Sequence, residues 1–259
     1  MTLLNKLLLT TSLALAAGTA SAAQLVALDA NDTLYMIDTE TLSVTGSMQV
    51  TGASNLRGID VRPATGALYA LSAATQLITI DASTGAATAV AEMQIALPGS
   101  GQALVDFNPV ADRLRLLAAD GTNLRVNVDT GEVATDGQVA YATDFAHGDM
   151  IENIVAGAYT NSFAGTDKTA LYTIDLSSGM LMLQNPPNDG VQQPVGELAQ
   201  GLNAASMDIL SDGMGGNTAF VLTATTLHTL NLDTGAPTPL GEIADLPDGI
   251  IDIAVLPQK

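Results

Sequence analysis

One short motif recurs five times along the chain, and this repetition limits the folds that are open to it. Each copy is a run of alternating β-branched residues that ends in Asp, and Gly follows closely in four copies. The five aspartates are Asp38, Asp81, Asp129, Asp175 and Asp233, at spacings of 43, 48, 46 and 58 residues. Alternation predicts a strand, and Asp followed by Gly is typical of a tight turn. The chain is therefore predicted to be a repetitive β protein.

A second motif precedes four of these units and predicts a further strand in each. It reads Gly58-Ile-Asp60, Leu104-Val-Asp106, Ser206-Met-Asp208 and Ile250-Ile-Asp252, whereas the fourth unit has 154–159 in its place. Additional alternating runs, such as 67–71 and 86–93, fill the space between and after the motifs. Four strands in a unit of about 45 residues are typical of a β-propeller blade.

The two ends of the repetitive region are complementary. Residues 249–256 look like a first strand with no blade after it, and residues 23–50 look like a blade without its first strand. Pairing them would remove exposed sheet edges. We predict an all-β fold, a single β-propeller of five four-stranded blades: 23–50 closed by 249–256, then 55–93, 103–141, 150–198 and 203–245. Six blades are the alternative, because the fourth unit contains an insertion and its second strand is hard to place.

Residues 1–22 have the pattern of a signal peptide. Lys6 precedes an eleven-residue apolar stretch, and Ala20-Ser21-Ala22 supplies a small-residue cleavage site. Eleven helical residues are too short to cross a bilayer core of roughly 30 Å. We therefore expect residues 23–259 to form an exported propeller domain without a membrane span, in the periplasm or the medium.

Composition excludes several classes of function. The chain has 8 Lys and Arg against 27 Asp and Glu, a net charge of −19, which argues against nucleic-acid binding. It has no Cys, so disulfides, zinc ribbons and thiol nucleophiles are excluded. No nucleophile elbow, P-loop or dinucleotide fingerprint is present, and no catalytic residue is predicted. We expect a monomer.

The four motif aspartates, Asp60, Asp106, Asp208 and Asp252, are the candidate metal ligands. On innermost strands, their carboxylates would converge on the axial channel and could hold Ca²⁺, the one cofactor that the pattern suggests. The competing interpretation, which we favour, is that each Asp bonds a backbone N–H or an Arg of the next blade and locks the two blades together.

Arginine is scarce and clustered, so Arg57, Arg113, Arg115 and Arg125 are candidate binding residues. They could form a pocket for an anion or a carboxylate. The slightly favoured alternative is that they pair with the recurring aspartates between blades, where an unpaired charge would be costly.

A ligand-like cluster precedes the fourth unit and comprises Asp144, His147, Asp149 and Glu152. A mixed set of histidine and carboxylates suits a transition metal. In so acidic a chain, a polar loop also acquires such a set by chance.

Five segments carry a family resemblance: 56–69, 106–115, 123–131, 158–165 and 184–190. Together they resemble the domain-of-unknown-function 4394 family over roughly residues 25–256. The members of this family are secreted bacterial proteins, predicted to be propellers similar to the quinoprotein amine dehydrogenase β-chain superfamily. The resemblance implies a propeller and export but no activity. It implies no quinone, since the chain has neither Trp nor Cys.

Two functions follow as hypotheses. The favoured one is an exported, non-catalytic binding or scaffold module for a protein, a glycan or a small molecule. The alternative is a metal-dependent hydrolase of the lactonase class, with Ca²⁺ and substrate in the axial channel. Convergence of the four carboxylates would favour the hydrolase, whereas carboxylates pointing separately into neighbouring blades would contradict it.

Overall fold

The computed structural model describes residues 23–146, 150–198, 202 and 206–257, and within these ranges it contains 21 strands. The predicted signal peptide lies outside the described residues. Nowhere in the ranges described is there a helix long and apolar enough to cross a membrane.

The strands form five sheets, the blades, arranged around a common axis. Blade 1 contains β1 (Gln24–Asp29), β2 (Thr33–Asp38), β3 (Ser43–Gln49) and β21 (Ile250–Val255). Blade 2 contains β4 (Leu56–Arg62), β5 (Ala67–Ser72), β6 (Gln76–Ile80) and β7 (Ala87–Glu92). Blade 3 contains β8 (Leu104–Asn108), β9 (Arg113–Leu117), β10 (Asn123–Val126) and β11 (Val133–Thr135).

The remaining two blades follow in chain order. Blade 4 contains β13 (Ile154–Tyr159), β14 (Leu171–Asp175), β15 (Met180–Gln184) and β16 (Val191–Glu197), and the short β12 (Ala140–Tyr141) adds to its edge, parallel to β16. Blade 5 contains β17 (Ser206–Ser211), β18 (Asn217–Thr223), β19 (Thr226–Leu230) and β20 (Pro237–Glu242).

The predicted closure of the ring is confirmed. Strand β21 pairs antiparallel with β1, with Leu25 opposite Val255 and Leu28 opposite Asp252. The C-terminal strand is thus the innermost strand of the N-terminal blade. The blade count is five, not six.

The fourth blade departs from the repeat in one respect. The motif strand that ends at Asp175 is β14, which pairs directly with the innermost strand β13. In the other blades the motif strand is the third from the axis, as β6 is in blade 2. This shift explains why a second strand of the fourth unit was hard to place from the sequence.

The turns that follow the motif strands agree only in part with the predicted role of the motif aspartates. Asp38 Oδ1 accepts the backbone N–H groups of Glu40 and Thr41, as expected for a turn aspartate. In the third and fifth copies, however, Asn127 and Asn231 do this instead, two residues before the predicted aspartates. The reason is that an Asn side-chain oxygen closes the same turn. Asp129 is thereby left to bind elsewhere.

Apolar side chains fill the space between neighbouring blades, but not evenly. Large buried clusters join blades 1 and 2, 2 and 3, 4 and 5, and 5 and 1. Between blades 3 and 4 the cluster is small, with Leu104, Leu117 and Val139 at its centre. A polar network around Arg115, described below, takes up that interface.

Candidate functional site

The four predicted aspartates lie on innermost strands and surround the axis. Asp60 is on β4, Asp106 on β8, Asp208 on β17 and Asp252 on β21, and all four are buried. These strands pack against one another in a ring, with β13 completing it. Strand β13 carries Ala156, Gly157 and Ala158 instead of an acidic residue.

Two of the aspartates bond the next blade along the chain. Asp60 Oδ2 accepts the backbone N–H of Phe107 at 2.6 Å, and Asp106 Oδ1 accepts that of Tyr159 at 3.0 Å. Asp60 Oδ1 also accepts the N–H of the following residue, Val61. Each carboxylate therefore joins two blades at the axis.

The other two aspartates make the same kind of bond around the closure. Asp208 Oδ2 accepts the N–H of Val255 at 2.5 Å, and Asp252 Oδ2 accepts the N–H of Ile59 at 2.8 Å. Four of the five blade interfaces thus have an aspartate bond at the axis. This geometry is the blade-locking arrangement that the sequence favoured, with backbone N–H groups as the partners.

Three of the carboxylates nevertheless converge. One oxygen from each of Asp60, Asp106 and Asp208 lies within 4.8 Å of the others, and Asp252 is outside this group. The carboxylates therefore both reach into neighbouring blades and meet in the channel. The metal site at these residues stays a prediction, now narrowed to three of the four ligands.

Burial and mutual repulsion favour the protonated forms of these acids. Burial raises the pKa of Asp60 well above its ordinary value, and the charge of Asp208 raises it further. Burial and then Asp60 do the same to the pKa of Asp106, and burial raises the pKa of Asp252. The pKa of Asp208 is raised by burial to about 6. A cation in the channel would reverse this preference by stabilising the ionised forms.

No basic side chain neutralises the channel within the described ranges. The four ion pairs there join Arg62 to Asp112 and Asp129, and Arg115 and Arg125 to Asp136. An arginine pairs with a recurring aspartate across a blade interface in one case, Arg62 of blade 2 with Asp129 of blade 3. Of the four candidate arginines, Arg115 and Arg125 pair with Asp136 of their own blade, so the predicted pairing between blades is not seen for them.

A cavity of about 430 Å³ opens where the innermost strands end, and Asp60 and Asp208 belong to its lining. Its apolar wall comes from residues that follow those strands. The principal apolar side chains are Pro63, Phe163, Leu210, Leu256 and Pro257. We call this space the mouth cavity. It combines two carboxylates with an apolar wall, and sequence patterns did not predict it because Phe163 lies in the insertion of blade 4.

The four candidate arginines do not form one site. Arg57 is buried and donates to the carbonyls of Leu97, Pro98 and Gly101, so it holds the loop before blade 3. Arg113 donates to the carbonyls of residues 111 and 112. With Arg125 it lines a shallow cavity of about 290 Å³.

Arg115 is the centre of the interface between blades 3 and 4. Its guanidinium donates to Asp136 and Asn123 at 2.6 Å, to Asn188 at 2.8 Å and to Tyr159 Oη at 3.1 Å. Four of its five N–H groups are thus used inside the fold. Anion binding by these arginines stays a prediction.

The structure describes only part of the ligand-like cluster of Asp144, His147, Asp149 and Glu152. His147 and Asp149 lie outside the described residues. Glu152 accepts the backbone N–H of Tyr141 at 2.7 Å, so it has a structural partner.

One buried hydroxyl was not singled out from the sequence. Ser206 is fully buried, and its Oγ has no hydrogen-bond partner; among described residues only His228 Nδ1 shares this state. Ser206 lies two residues before Asp208 on β17, so strand alternation places both side chains on one face. Buried polar atoms are rarely left unpaired.

The family model of DUF4394, a domain of unknown function, matches residues 33–254, so the chain is a member of this family. No curated protein matches the sequence.

Two solved structures are similar in fold. A protein of unknown function from Bacteroides thetaiotaomicron VPI-5482 is 14% identical, with a TM-score of 0.54; the alignment covers 92% of this chain and 65% of that one. A protein of unknown function from Bacteroides caccae is 11% identical, with a TM-score of 0.47 and coverage of 92% and 100%. The chain spans about two thirds of the length of the former. At these identities the likeness concerns the fold alone.

Proposed function

We propose that the protein is an exported, non-catalytic propeller that binds a small ligand in the mouth cavity. The observation that carries this proposal is the junction of an apolar wall with the carboxylates of Asp60 and Asp208 in one cavity. Its volume of about 430 Å³ falls in the range of small-molecule sites. Export rests on the signal-peptide pattern of residues 1–22.

The lining defines the ligand's chemistry in outline. Phe163, Leu210 and Leu256 offer apolar surface at the rim, so the ligand has an apolar body. Asp60 and Asp208 lie on the innermost strands, so a polar group of the ligand points toward the channel. A bulky glycan fits less well, since the chain has no Trp and few other aromatic residues for stacking.

Three probes with the same apolar body test the proposal: hexylamine, hexan-1-ol and hexanoate. Ligand-observed NMR on the protein, with EDTA present and with CaCl₂ present, should detect saturable binding of at least one of them. Phe163→Ala should weaken that binding about tenfold, because part of the apolar contact is lost.

The matched control is Val110→Ala, in the equivalent hairpin of blade 3 and outside the cavity lining. It should leave binding unchanged. Absence of saturable binding for all three probes, under both conditions, would overturn the mouth cavity as a ligand site.

Metal-dependent hydrolysis is the second candidate, and the convergence of Asp60, Asp106 and Asp208 within 4.8 Å favours it. A hydrolase of the lactonase class would open δ-valerolactone in the presence of CaCl₂, with loss of the activity in Asp106→Asn. Binding of hexanoate without any turnover of the lactone would favour the non-catalytic module.

A further inference from the structure

We infer that the axial channel binds a hard divalent cation of the Ca²⁺ class, held by carboxylate oxygens of Asp60, Asp106 and Asp208, with the Ser206 hydroxyl turned toward it. The inference deepens the proposed function, because the cation would lie beside two residues that line the mouth cavity. Only its consequence for the ligand rests on that function.

The first argument is the geometry of the three carboxylates. Their oxygens lie within 4.8 Å of one another, which is about twice the Ca²⁺–oxygen distance of 2.3–2.6 Å. A single ion between them could therefore reach all three. A carboxylate offers about four lone-pair directions, so one N–H on an oxygen leaves room for a metal bond.

The second, independent argument is the unpartnered hydroxyl of Ser206. Ser206 pairs with Leu222 across blade 5, as Gly58 pairs with Leu71 across blade 2, so Ser206 and Gly58 are equivalent positions. A Cβ added at Gly58 would lie 2.5 Å from Val105 Cγ2 and 2.9 Å from both the Ala103 carbonyl oxygen and Asp252 Oδ2, whereas blade 5 accommodates the serine side chain at the equivalent position. The Ser206 side chain lies on the same strand face as Asp208, two residues on, and its Oγ has no hydrogen-bond partner, so it can bind a ligand or a water beside that carboxylate.

The third argument is charge. Three buried carboxyl groups converge in the channel, a fourth, that of Asp252, is buried on the adjacent innermost strand, and every ion pair among the described residues lies outside the channel. Buried charges are normally paired or coordinate a metal. The backbone N–H groups that bond these oxygens stabilise the ionised forms, which are the forms that a metal requires.

The ligand set indicates the class of ion. Carboxylates and a hydroxyl, without sulfur or imidazole, suit Ca²⁺, Mg²⁺ or Mn²⁺ rather than Zn²⁺ or Cu²⁺. With the ion in place, the mouth cavity would accept an oxygen donor, such as a carboxylate. Without it, the same cavity would favour an ammonium group.

The competing explanation is that the channel holds no cation and that two protons, shared among the carboxyl groups, join them by hydrogen bonds. Calorimetric titration of EDTA-treated, dialysed protein with CaCl₂ separates the two. The cation predicts one saturable site, and a rise in Tm of about 5 to 10 °C at a hundredfold excess over Kd. Shared protons predict neither.

Measuring the Ca²⁺ affinity of single-residue variants tests which side chains bind the cation. Asp106 accepts the single N–H of Tyr159, which an Asn oxygen can also accept, so Asp106→Asn removes charge while keeping this bond. We expect at least a hundredfold loss of Ca²⁺ affinity. The comparison variant is Asp252→Asn, a buried motif aspartate outside the group of three, and its loss of affinity should be clearly smaller because its charge acts on the ion only at longer range. Ser206→Ala should weaken binding about tenfold.

The result that overturns the inference needs no variant. If wild-type protein shows neither binding heat nor a Tm shift at about 10 mM CaCl₂, MgCl₂ or MnCl₂, even a site as weak as the extracellular class of Ca²⁺ sites is excluded. Equal losses of affinity in Asp106→Asn and Asp252→Asn would also contradict the assignment.

The ligand site in the mouth cavity and the cation site in the channel can be disproved independently of each other. Binding of hexylamine in EDTA without any response to CaCl₂ would remove the cation and leave the mouth cavity as a ligand site. A Ca²⁺ site without binding of any six-carbon probe would do the reverse. If both hold, hexanoate should bind more tightly in CaCl₂ than in EDTA.

Discussion

Asp252 Oδ2 accepts the backbone N–H of Ile59 at 2.8 Å, although the two residues are 193 positions apart. The bond joins the C-terminal strand, the innermost strand of blade 1, to the innermost strand of blade 2. A side chain at one end of the chain thereby fixes a backbone group at the other. Ring closure thus depends on this contact as well as on the pairing of β21 with β1.

Replacing Asp252 should measurably weaken the closed ring. Asp252→Ala leaves two buried N–H groups, those of Ile59 and Ile253, without an acceptor. At about 1–3 kcal/mol for each unsatisfied group, the free energy of unfolding should fall by about 2–6 kcal/mol. Urea denaturation measures it. Asp248→Ala, four residues earlier and exposed, is the control and should change stability by less than about 0.5 kcal/mol.

The interface between blades 3 and 4 should depend on the guanidinium of Arg115. Lys cannot reach the four partners of Arg115 at once, so Asn123, Asn188 and Tyr159 would lose buried hydrogen bonds, while Asp136 keeps its ion pair with Arg125. Arg115→Lys should cost about 2–4 kcal/mol of unfolding free energy, because buried acceptors are left without a donor. Arg113→Lys, two residues away and bonded only to nearby carbonyls, should cost less than about 1 kcal/mol. Similar losses in the two variants would contradict the assigned role.

Blades 4 and 5 approach too closely for a side chain at Gly196. A Cβ there would lie 2.0 Å from the carbonyl oxygen of Thr234, whereas one at Gly46, beside the bulge in the outermost strand of blade 1, would meet nothing within 4 Å. Gly196→Ala should destabilise the protein by about 1–3 kcal/mol. Gly46→Ala should be neutral or slightly stabilising. Thermal unfolding of the two variants tests the difference.

Stability of the cation-free protein should fall as the pH rises from about 4 to about 6. The folded state raises the pKa of Asp208 to about 6, above its ordinary value, so the folded protein holds this proton more tightly than the unfolded chain. Such a group stabilises the fold below the ordinary pKa and loses that contribution as the pH passes the folded one. For Asp208 alone this is on the order of 3 kcal/mol.

Urea unfolding in EDTA across this range measures the slope, and Asp208→Asn should reduce it. Asp112 and Asp129, whose pKa values are lowered by Arg62, act in the opposite direction but mainly below pH 4. A stability that rises steadily between pH 4 and 6 would contradict the prediction.

The sequence predicted the fold well because each blade carries its own local signals. Alternation marked strands such as β6, and the unpaired ends 23–50 and 249–256 predicted the closure that β1 and β21 make. Blade 4 was the exception. There the turn motif ending at Asp175 had moved to the second strand, and a periodic pattern does not reveal which strand of a blade carries it.

The candidate functional site was harder to predict from the sequence than the fold. Repetition singled out Asp60, Asp106, Asp208 and Asp252, but not which three converge, because a repeated motif places all four at equivalent positions and does not distinguish them. Ser206 carried no signal, since a serine in a strand becomes informative only when its hydroxyl is found buried and unpaired. Phe163 was hidden in an insertion whose path the repeat does not specify.

The central claim is that the channel carboxylates both join the blades and hold a divalent cation. A crystal soaked in MnCl₂ and measured for anomalous scattering tests it most directly, because Mn²⁺ accepts the same oxygen ligands and is visible by its own signal. The account predicts one strong peak bounded by Asp60, Asp106 and Asp208. A map without a peak, with the three carboxyl groups hydrogen-bonded to one another, would contradict it.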